Sequence, residues 1–204
     1  YQLISKPDKM QDFEIVVVFS GLTQNLMGTD YNNRVDECKV AAWILQECNN
    51  EKRQVLKDTR LRDISPKIYK KYKNLIPGKF AKRAEHFYTE NQRVAEGVEA
   101  WKKGDIEHFG KLMFESGESS IVNYESGCPE LITIYNILKE TSGVYGARFS
   151  GAGYRGCCIG LVDPKYKDEI KQSVDKQYPI KHPKYKDTYE VYFCKTDGGA
   201  RIVE

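Results

Sequence analysis

Three glycines lie between two short apolar runs in the stretch RFSGAGYRGCCIGLVDP, residues 148–164, and this arrangement constrains the fold more than any other part of the sequence. The apolar runs are too short for helices and have the character of buried strands. Gly151, Gly153 and Gly156 permit left-handed backbone and the close approach of another group. The stretch therefore predicts two consecutive strands joined by a glycine-rich connection, residues 150–156, here called the glycine loop.

The spacing of these glycines satisfies G-x-G-x-x-G, a pattern that binds dinucleotides only where a strand precedes it and a helix follows it. Here the following residues, CCIGLV, are strand-like, and Pro164 comes too soon for a helix of useful length. No Lys-Ser or Lys-Thr follows the glycines, which excludes a P-loop. Two interpretations remain: a tight turn between strands, or a loop whose small residues let a ligand approach the backbone.

Hydrophobic periodicity predicts the other elements. FEIVVVF, residues 13–19, is typical of a strand that is buried on both faces. Apolar residues at spacings of three and four predict helices over 33–48 and 80–101, and Pro129 is expected to open another helix. Short helical turns and loops are expected over 52–78, and a helix capped by Asp105 is expected to run through Met113. A further helix is expected from Asp163 and Pro164 through Val174, broken at Pro179, and a strand is expected over 188–195.

The predicted order of elements is strand, several helices, strand, loop, strand, helix, strand. This order predicts an α+β fold, a ferredoxin-like split β-α-β-β-α-β sandwich with extra helices inserted in the first crossover.

Composition excludes several classes of protein. The 32 basic and 29 acidic residues are interleaved and give a net charge of +3, so the charge balance predicts neither a nucleic-acid nor a membrane partner. No stretch approaches the roughly 20 apolar residues of a membrane span. Six cysteines without a C-x-x-C pair, and no leader-like apolar segment at the start, indicate free thiols in a reducing compartment. We therefore expect a cytoplasmic location and no metal site.

The sequence around the glycine loop, GVYGARFSGAGYRGCCIGLV, resembles the third motif of the galactokinase branch of the GHMP kinases. These are the small-molecule kinases named for galactose, homoserine, mevalonate and phosphomevalonate. Three further segments resemble parts of the same branch in the same order, so the resemblance covers nearly the whole chain. They are DYNNRVDEC at 30–38, KRAEHFYTENQRV at 82–94 and FGKLMFESGESSIVNYESGCPEL at 109–131.

Two positions depart from the usual pattern of that branch. Gly117 stands where galactokinases tend to have histidine after a serine, and Arg155 stands where they have glycine. The forms SGESSIVNYE and RFSGAGYRGCC resemble the galacturonokinase-like subgroup. The resemblance therefore implies an acidic sugar rather than a neutral one.

The resemblance implies transfer of the ATP γ-phosphoryl group to the anomeric hydroxyl of a sugar, with magnesium as the metal ion. The family's sugar-gripping motif, phosphate loop and catalytic aspartate would precede Tyr1, and no P-x-x-x-G-x-S-S pattern occurs in this sequence. We therefore interpret residues 1–204 as the C-terminal kinase domain of a longer protein, with no catalytic residue and no phosphoryl transfer of its own. Its expected partners are the sugar, ATP and the N-terminal half, on which about residues 192–204 would pack back.

The same resemblance implies the residues of the site. Tyr31 would hydrogen-bond a sugar hydroxyl, because a phenol both donates and accepts; the alternative is a solvent-facing tyrosine before a helix. The glycine loop would close over the sugar and the nucleotide phosphates, with Gly153 facing both. Its phosphate-facing residues would be Ser150, Gly151, Ala152, Gly153 and Gly156.

Arg155 is the candidate for choosing the sugar. A guanidinium binds a carboxylate through two parallel hydrogen bonds, and a site built around that pair rejects the uncharged sugar, which leaves the arginine unpaired. The alternatives are a contact between Arg155 and an ATP phosphate, or a contact with an acid on the surface.

Other polar patterns have simpler interpretations. His86, His108 and His182 are far apart in sequence and are expected to be structural or surface residues rather than metal ligands. The lysine-tyrosine stretches KIYKKYK and KHPKYK are expected to be solvated faces. Glu115, Glu118 and Glu125 look like polar positions on a helix and its exit.

Three functions stay open from the sequence. The first is a sugar-1-kinase acting on galacturonate, and the second is the same enzyme class acting on galactose or another sugar. The third is a non-catalytic sugar-binding or regulatory paralogue that keeps the fold.

Overall fold

The computed structural model describes residues 3–23, 30–52 and 55–197. In these ranges four strands form one antiparallel sheet in the order β2-β3-β1-β4. The strands are β1 Glu14–Phe19, β2 Val144–Phe149, β3 Cys157–Val162 and β4 Glu190–Cys194.

Five α-helices lie between β1 and β2, and a sixth lies between β3 and β4. They are α1 Tyr31–Cys48, α2 Pro66–Tyr72, α3 Gly78–Lys103, α4 Ile106–Val122, α5 Pro129–Glu140 and α6 Lys167–Lys181. This element order and this strand order confirm the predicted α+β split β-α-β-β-α-β fold with helices inserted in the first crossover. No helix in the described ranges is both long enough and apolar enough to cross a lipid bilayer.

Strand β1 is buried on one face rather than on both. Val16 and Val18 have no exposed surface, whereas Ile15 and Val17, which point the other way, are partly exposed. An apolar cluster around Met10, Ile106 and Leu161 packs against Ile15 and covers that end of the second face. The strand was therefore predicted correctly, but its burial on both faces was not.

Contacts divide the chain into two compact units, each assembled from separate stretches. The first unit holds the whole sheet and comprises the described residues within 3–23, 97–117 and 127–197. Its buried core includes residues of α5 and α6 such as Leu131, Ile134, Ile170 and Val174. Helix α4 approaches strand β2 so closely that a Cβ at Gly110 would lie 2.1 Å from the carbonyl oxygen of Tyr145.

The second unit comprises the described residues within 30–96, together with 118–126. Its core contains Leu45, Leu61, Ile64, Ala84 and Tyr88. The buried phenol of Tyr88 donates toward the carbonyl oxygens of Leu61 and Ile64, at 3.2 and 3.1 Å. This hydrogen bonding holds the irregular chain between α1 and α2 against α3. The described residues within 52–78 form short helical turns, including α2, and loops, as predicted.

Two of the predicted helix starts are confirmed, whereas α6 begins at Lys167, after a 3-10 turn at Pro164–Tyr166 that Asp163 caps. The backbone amide of His108 donates to Asp105 Oδ1 at 3.0 Å, and Pro129 is the first residue of α5. Pro179 is a correction, because it lies inside α6 and does not break the helix. It sits in the last turn, where its ring removes a single backbone donor, and the amide of His182 still donates to the Tyr178 carbonyl at 2.9 Å.

The prediction that residues 1–204 form one kinase domain stays a prediction. Strand β4 ends at Cys194, and residues 198–204, most of the segment expected to pack back on a preceding domain, lie outside the described residues.

Candidate functional site

The glycine loop connects β2 to β3 and is fixed at both ends by backbone hydrogen bonds. The amide of Ser150 donates to the carbonyl of Cys157 at 3.0 Å, and the amide of Ser20 donates to the carbonyl of Gly156 at 2.9 Å. Because Ser20 directly follows β1, the loop lies at the end of the sheet where β1 and β2 end and β3 begins. The predicted strand, loop, strand arrangement is confirmed.

One member of the loop is required by the packing of the protein itself. Gly153 is buried with φ of +83°, and a Cβ there would lie 2.6 Å from Cδ2 of Phe149. Its carbonyl accepts a hydrogen bond of 2.7 Å from the amide of Cys128. A Cβ at Gly127 would lie 2.8 Å from Cζ of the same phenyl ring, and a Cβ at Gly153 would lie 3.0 Å from Cα of Gly127. The ring of Phe149 therefore packs against both glycines and supports the middle of the loop.

Gly151 differs from Gly153 in its surroundings. It is exposed, its φ is not in the left-handed region, and no heavy atom of the described chain would come within 4 Å of a Cβ added there. Neither the backbone conformation nor the packing within the described residues requires glycine at this position. A bare backbone in open space is suited to a close approach by something that is not part of the described chain.

The remaining loop candidates also lie at the surface. Ser150, Ala152 and Arg155 are exposed, and Gly156 is partly exposed with φ of +87°. The loop therefore presents small side chains and a single guanidinium from one short segment. Such a surface can accommodate a polar, anionic ligand against its backbone amides.

Cysteines beside the loop are poor nucleophiles. Burial raises the pKa of the Cys128 thiol to about 11 and holds the pKa of Cys158 well above its usual value. The buried Cys158 thiol donates to the carbonyl of Leu131 at 3.3 Å. Since the thiolate is the reactive form, these residues contribute packing rather than covalent catalysis.

Tyr31 belongs to the second unit. It is the first residue of α1, and 49% of its surface is exposed. About half of the residue is therefore accessible to solvent, which is compatible with the binding of a small molecule.

A buried ion cluster, which the sequence did not lead us to expect, lies one turn beyond Tyr31. Arg83 is fully buried, and its three guanidinium nitrogens contact Glu37 Oε2 at 2.6 Å, the Asn123 carbonyl at 2.6 Å and Glu125 Oε2 at 2.7 Å. Arg34 contacts Glu37 Oε2 at 3.2 Å and the Glu125 carbonyl at 3.1 Å. These four charged residues, Arg34, Glu37, Arg83 and Glu125, are here called the Arg83 cluster.

The cluster holds both carboxylates in their charged form. Hydrogen bonds from Lys82 and Arg83 lower the pKa of Glu125 to about 2. Burial alone would raise the pKa of Glu37, but hydrogen bonds from Lys79 and Arg83 outweigh burial, and the pKa lies below its usual range. A charged residue at position 83, between Phe80 and Phe87 on the apolar side of α3, was the sequence pattern that could have revealed this cluster.

Gly117, the position at which galactokinases tend to carry histidine, is explained by its neighbour. A Cβ at Gly117 would lie 2.5 Å from Cε2 of Tyr135, a fully buried ring whose hydroxyl donates to the Phe114 carbonyl at 2.8 Å. In this protein the ring of Tyr135 therefore occupies the space that a side chain at position 117 would need.

The histidines that could have been metal ligands make ordinary polar contacts. His86 Nδ1 lies 3.0 Å from Ser119 Oγ, and His182 Nε2 lies 2.9 Å from Thr133 Oγ1. Within residues 3–23, 30–52 and 55–197, no group of three or more His, Cys, Asp or Glu side chains is arranged to hold a metal ion.

Comparison of the sequence with known proteins identifies a family and relatives. Residues 98–180, which include the glycine loop and its support, match the family "GHMP kinases C terminal". Over its whole length the chain is 39% identical to galacturonokinase of Arabidopsis thaliana. The chain contains a GHMP kinase C-terminal domain. It spans about half the length of that relative, 48%.

Solved structures extend the similarity to GHMP kinases beyond residues 98–180. Galactokinase of Lactococcus lactis, solved with galactose, superposes with a TM-score of 0.76 at 26% identity, covering 93% of this chain and 46% of that chain. Mevalonate kinase of L. major superposes with a TM-score of 0.52 at 17% identity, covering 95% of this chain and 46% of that chain. The mevalonate kinase shares the fold.

Proposed function

We propose that the protein to which this chain belongs is a sugar-1-kinase that transfers the γ-phosphoryl group of ATP to the anomeric hydroxyl of galacturonate. The chain supplies the C-terminal wall of the substrate cleft, and the catalytic aspartate and phosphate loop belong to the remaining half. The carrying observation is the glycine loop, which places the open backbone of Gly151 and the exposed guanidinium of Arg155 in one short segment of a GHMP kinase domain.

In this proposal the loop acts by position and charge rather than by chemistry. Phosphoryl transfer depends mainly on holding the reacting groups in line and neutralising the phosphate charge. The exposed small residues Ser150, Gly151, Ala152 and Gly156 let the nucleotide phosphates and the sugar lie close to the backbone. Gly153 contributes through its backbone, because its Cα side is packed on Phe149.

Arg155 carries the preference for an acidic sugar. Its planar guanidinium matches the carboxylate of a uronic acid through two parallel hydrogen bonds. A neutral hexose offers no carboxylate for these two charge-assisted hydrogen bonds, so it is expected to bind less tightly than the uronic acid. Tyr31 supplies a hydroxyl that can both donate to and accept from a sugar hydroxyl. Magnesium is expected to bind to the other half of the protein.

A second candidate function is a galactokinase acting on galactose. The observation that favours it is the fit to the Lactococcus lactis galactokinase, which was solved with galactose. A third is a non-catalytic paralogue that binds sugar, and that function requires the remaining half to lack the phosphate loop and the aspartate.

A coupled assay of ADP release by the full-length protein separates these functions. We expect turnover with galacturonate and much less with galactose or glucuronate. Equal turnover of galactose would refute the acidic sugar, and no turnover with any of the sugars would favour the paralogue.

Two substitutions test Arg155 directly. Arg155→Gly is expected to lower kcat/KM for galacturonate by about 100-fold while leaving galactose nearly unchanged, since it removes the carboxylate partner. Arg155→Lys keeps the charge but loses the planar fork, so an intermediate loss is expected. An unchanged ratio of the two sugars in Arg155→Gly would show that Arg155 does not bind the carboxylate.

A further inference from the structure

The Arg83 cluster is not explained by stability alone. Arg83 has no exposed surface, and each of its guanidinium nitrogens is engaged. Burying ions costs solvation, and well-packed apolar residues commonly replace a buried ion pair without loss of stability. Such a cluster is better explained by the geometry that it imposes on the chain around it.

That geometry converges on the start of α1. Glu37, in the second turn, accepts hydrogen bonds from both Arg83 and Arg34. Arg34, in the first turn, also donates to the Glu125 carbonyl at 3.1 Å and lies 3.7 Å from Asp30 Oδ2. The first two turns of α1 are thus tied to α3 and to the segment that follows α4.

The start of α1 has little other support in the described chain. Asp30, the residue before the helix, makes no side-chain cap to a backbone amide, and the first turn contains no acidic residue. Uncapped first turns fray because their amide donors have no intrahelical partner. The orientation of Tyr31, the first residue of α1, therefore depends on the side chain of Arg34, three residues further along.

The anchoring segment is itself held in an uncommon conformation. Glu125 has φ of +51°, one of two non-glycine residues in the described chain with positive φ. Such a backbone costs energy and persists where surrounding contacts determine it. Here the contacts are the hydrogen bonds from Arg83 and Lys82 to the two carboxylate oxygens and from Arg34 to the carbonyl.

We propose that Arg83 is a positioning residue for sugar binding, which acts through Glu37 and Arg34 to hold the first turn of α1 and with it the hydroxyl of Tyr31. The proposal rests on the proposed function, in which Tyr31 binds the sugar. Removal of the Arg83 guanidinium is expected to raise KM for the sugar and to leave kcat and KM for ATP nearly unchanged. A contact that is equally strong in the bound ground state and in the transition state affects KM but not kcat.

Kinetics of full-length variants provide the first test. Arg83→Lys keeps the buried charge but replaces the three nitrogens of the planar guanidinium, each of which contacts a different acceptor, with a single nitrogen. We expect KM for galacturonate to rise about tenfold. Arg34→Lys is a second variant, which leaves Arg83 in place and alters the contacts from the first turn to Glu37 and to the Glu125 carbonyl, with the same expected direction. Lys79→Ala is the matched control, since Lys79 also contacts Glu37, at 2.9 Å, but from a side chain that is 56% exposed. Its KM is expected to stay within about twofold.

A measurement without turnover tests the positioning itself. With 3-fluorotyrosine incorporated at position 31 alone, the ¹⁹F resonance of the sugar-free full-length protein is expected to shift or broaden in Arg83→Lys and Arg34→Lys. The same resonance is expected to be unchanged in Lys79→Ala.

The outcomes separate the two proposals. An unchanged ¹⁹F resonance, or an unchanged sugar KM in folded Arg83→Lys and Arg34→Lys, overturns the positioning role. A lower kcat together with a higher KM for both the sugar and ATP, and a lower thermal midpoint, would show a structural role for Arg83. That result also overturns the positioning role. If the unmodified protein turns over no sugar, the proposed function fails, and the ¹⁹F comparison still decides whether Arg83 positions Tyr31. If Tyr31→Phe leaves the sugar KM unchanged, Tyr31 does not bind the sugar, and the positioning role in sugar binding is overturned while the kinase function stands.

Discussion

Among the described residues, Gly117 and Gly153 are required by the packing of the chain, whereas Gly151 is required neither by packing nor by a left-handed backbone. Gly117 and Gly153 each face an aromatic ring at less than van der Waals distance from an added Cβ. Gly151 faces no described atom. Substitution of Gly117 is therefore expected to affect folding, whereas substitution of Gly151 is expected to affect the approach of a ligand.

Gly117→Ala is expected to destabilise the full-length protein by about 1–3 kcal/mol, because the buried ring of Tyr135 would have to move to admit the methyl group. Urea unfolding followed by fluorescence measures the change. Gly151→Ala is the matched control with open space around it. Equal midpoints for Gly117→Ala and the parent protein would show that Tyr135 moves without cost.

Gly151→Ala is expected to keep the unfolding midpoint and to lose kinase activity. The methyl group meets no protein atom, but it occupies the space into which the proposed phosphate or sugar comes. Measured KM values for ATP and for galacturonate would show which of the two is excluded. Full activity in Gly151→Ala would mean that no ligand approaches the loop at this position.

At the scale of elements, helix α4 and strand β2 meet backbone to backbone. A Cβ on Gly110 would lie 2.1 Å from the Tyr145 carbonyl, and a Cβ on Gly146 would lie 2.1 Å from the Gly110 carbonyl. Alanine at either position is expected to cost about 1–3 kcal/mol. The double substitution is expected to cost less than the sum, since the first already separates the two elements. Additive losses in a double-mutant cycle would contradict a shared contact.

The Arg83 cluster joins α1, α3 and the segment after α4, and it is expected to make their association sensitive to acid. In the folded protein the pKa of Glu125 is about 2, against an ordinary value of 4.5. A carboxyl whose pKa is lower when folded stabilises the fold above its unfolded pKa, and this contribution is lost as the pH falls through the folded pKa. The free energy of unfolding is therefore expected to fall between about pH 4.5 and pH 2.

Urea unfolding of the full-length protein at pH 6 and pH 3 measures this loss. Glu125→Gln, which cannot titrate at this position, is expected to lose less stability over the same interval. Because Glu125 is partly exposed, added salt should reduce the difference. The same loss in both proteins would exclude Glu125 as a source of acid sensitivity.

Sequence periodicity predicted most elements because apolar residues repeat at the spacing of the element that buries them. It placed β1, α3 and α5 within a few residues of their observed bounds. It failed where the outcome depends on distant residues. Partial exposure of Ile15 and Val17 depends on which elements cover the second face of the sheet. The fit of Arg83 depends on Glu37 and Glu125, which are 46 and 42 residues away along the chain.

The site shows the same limit. The glycine spacing identified a loop between strands. It could not show that Gly153 is required by packing, because its neighbours Phe149 and Gly127 are brought beside it only in the three-dimensional structure. Resemblance to the family supplied the roles of Tyr31 and Arg155, which composition and spacing could not supply.

For the whole molecule, the chain spans about half the length of its galacturonokinase relative. We expect the chain alone to show no phosphoryl transfer, because the residues it contributes bind and position rather than react. ADP release by the chain and by the full-length protein, compared at equal concentration with folding checked by circular dichroism, measures this. Turnover by the isolated chain would require a catalytic group among residues 1–204.

The antiparallel register of β1 bears on how such a chain is made. Val16, Val17 and Val18 are synthesised well before the residues with which they pair. Their partners are Gly160, Ile159 and Cys158 of β3 on one side and residues of β4 on the other. During translation this valine-rich segment emerges from the ribosome long before either neighbour exists, whereas the second unit is complete once residue 126 has appeared. Until β3 and β4 have been synthesised, β1 is an unpaired, valine-rich segment, and such segments are prone to aggregation in nascent proteins.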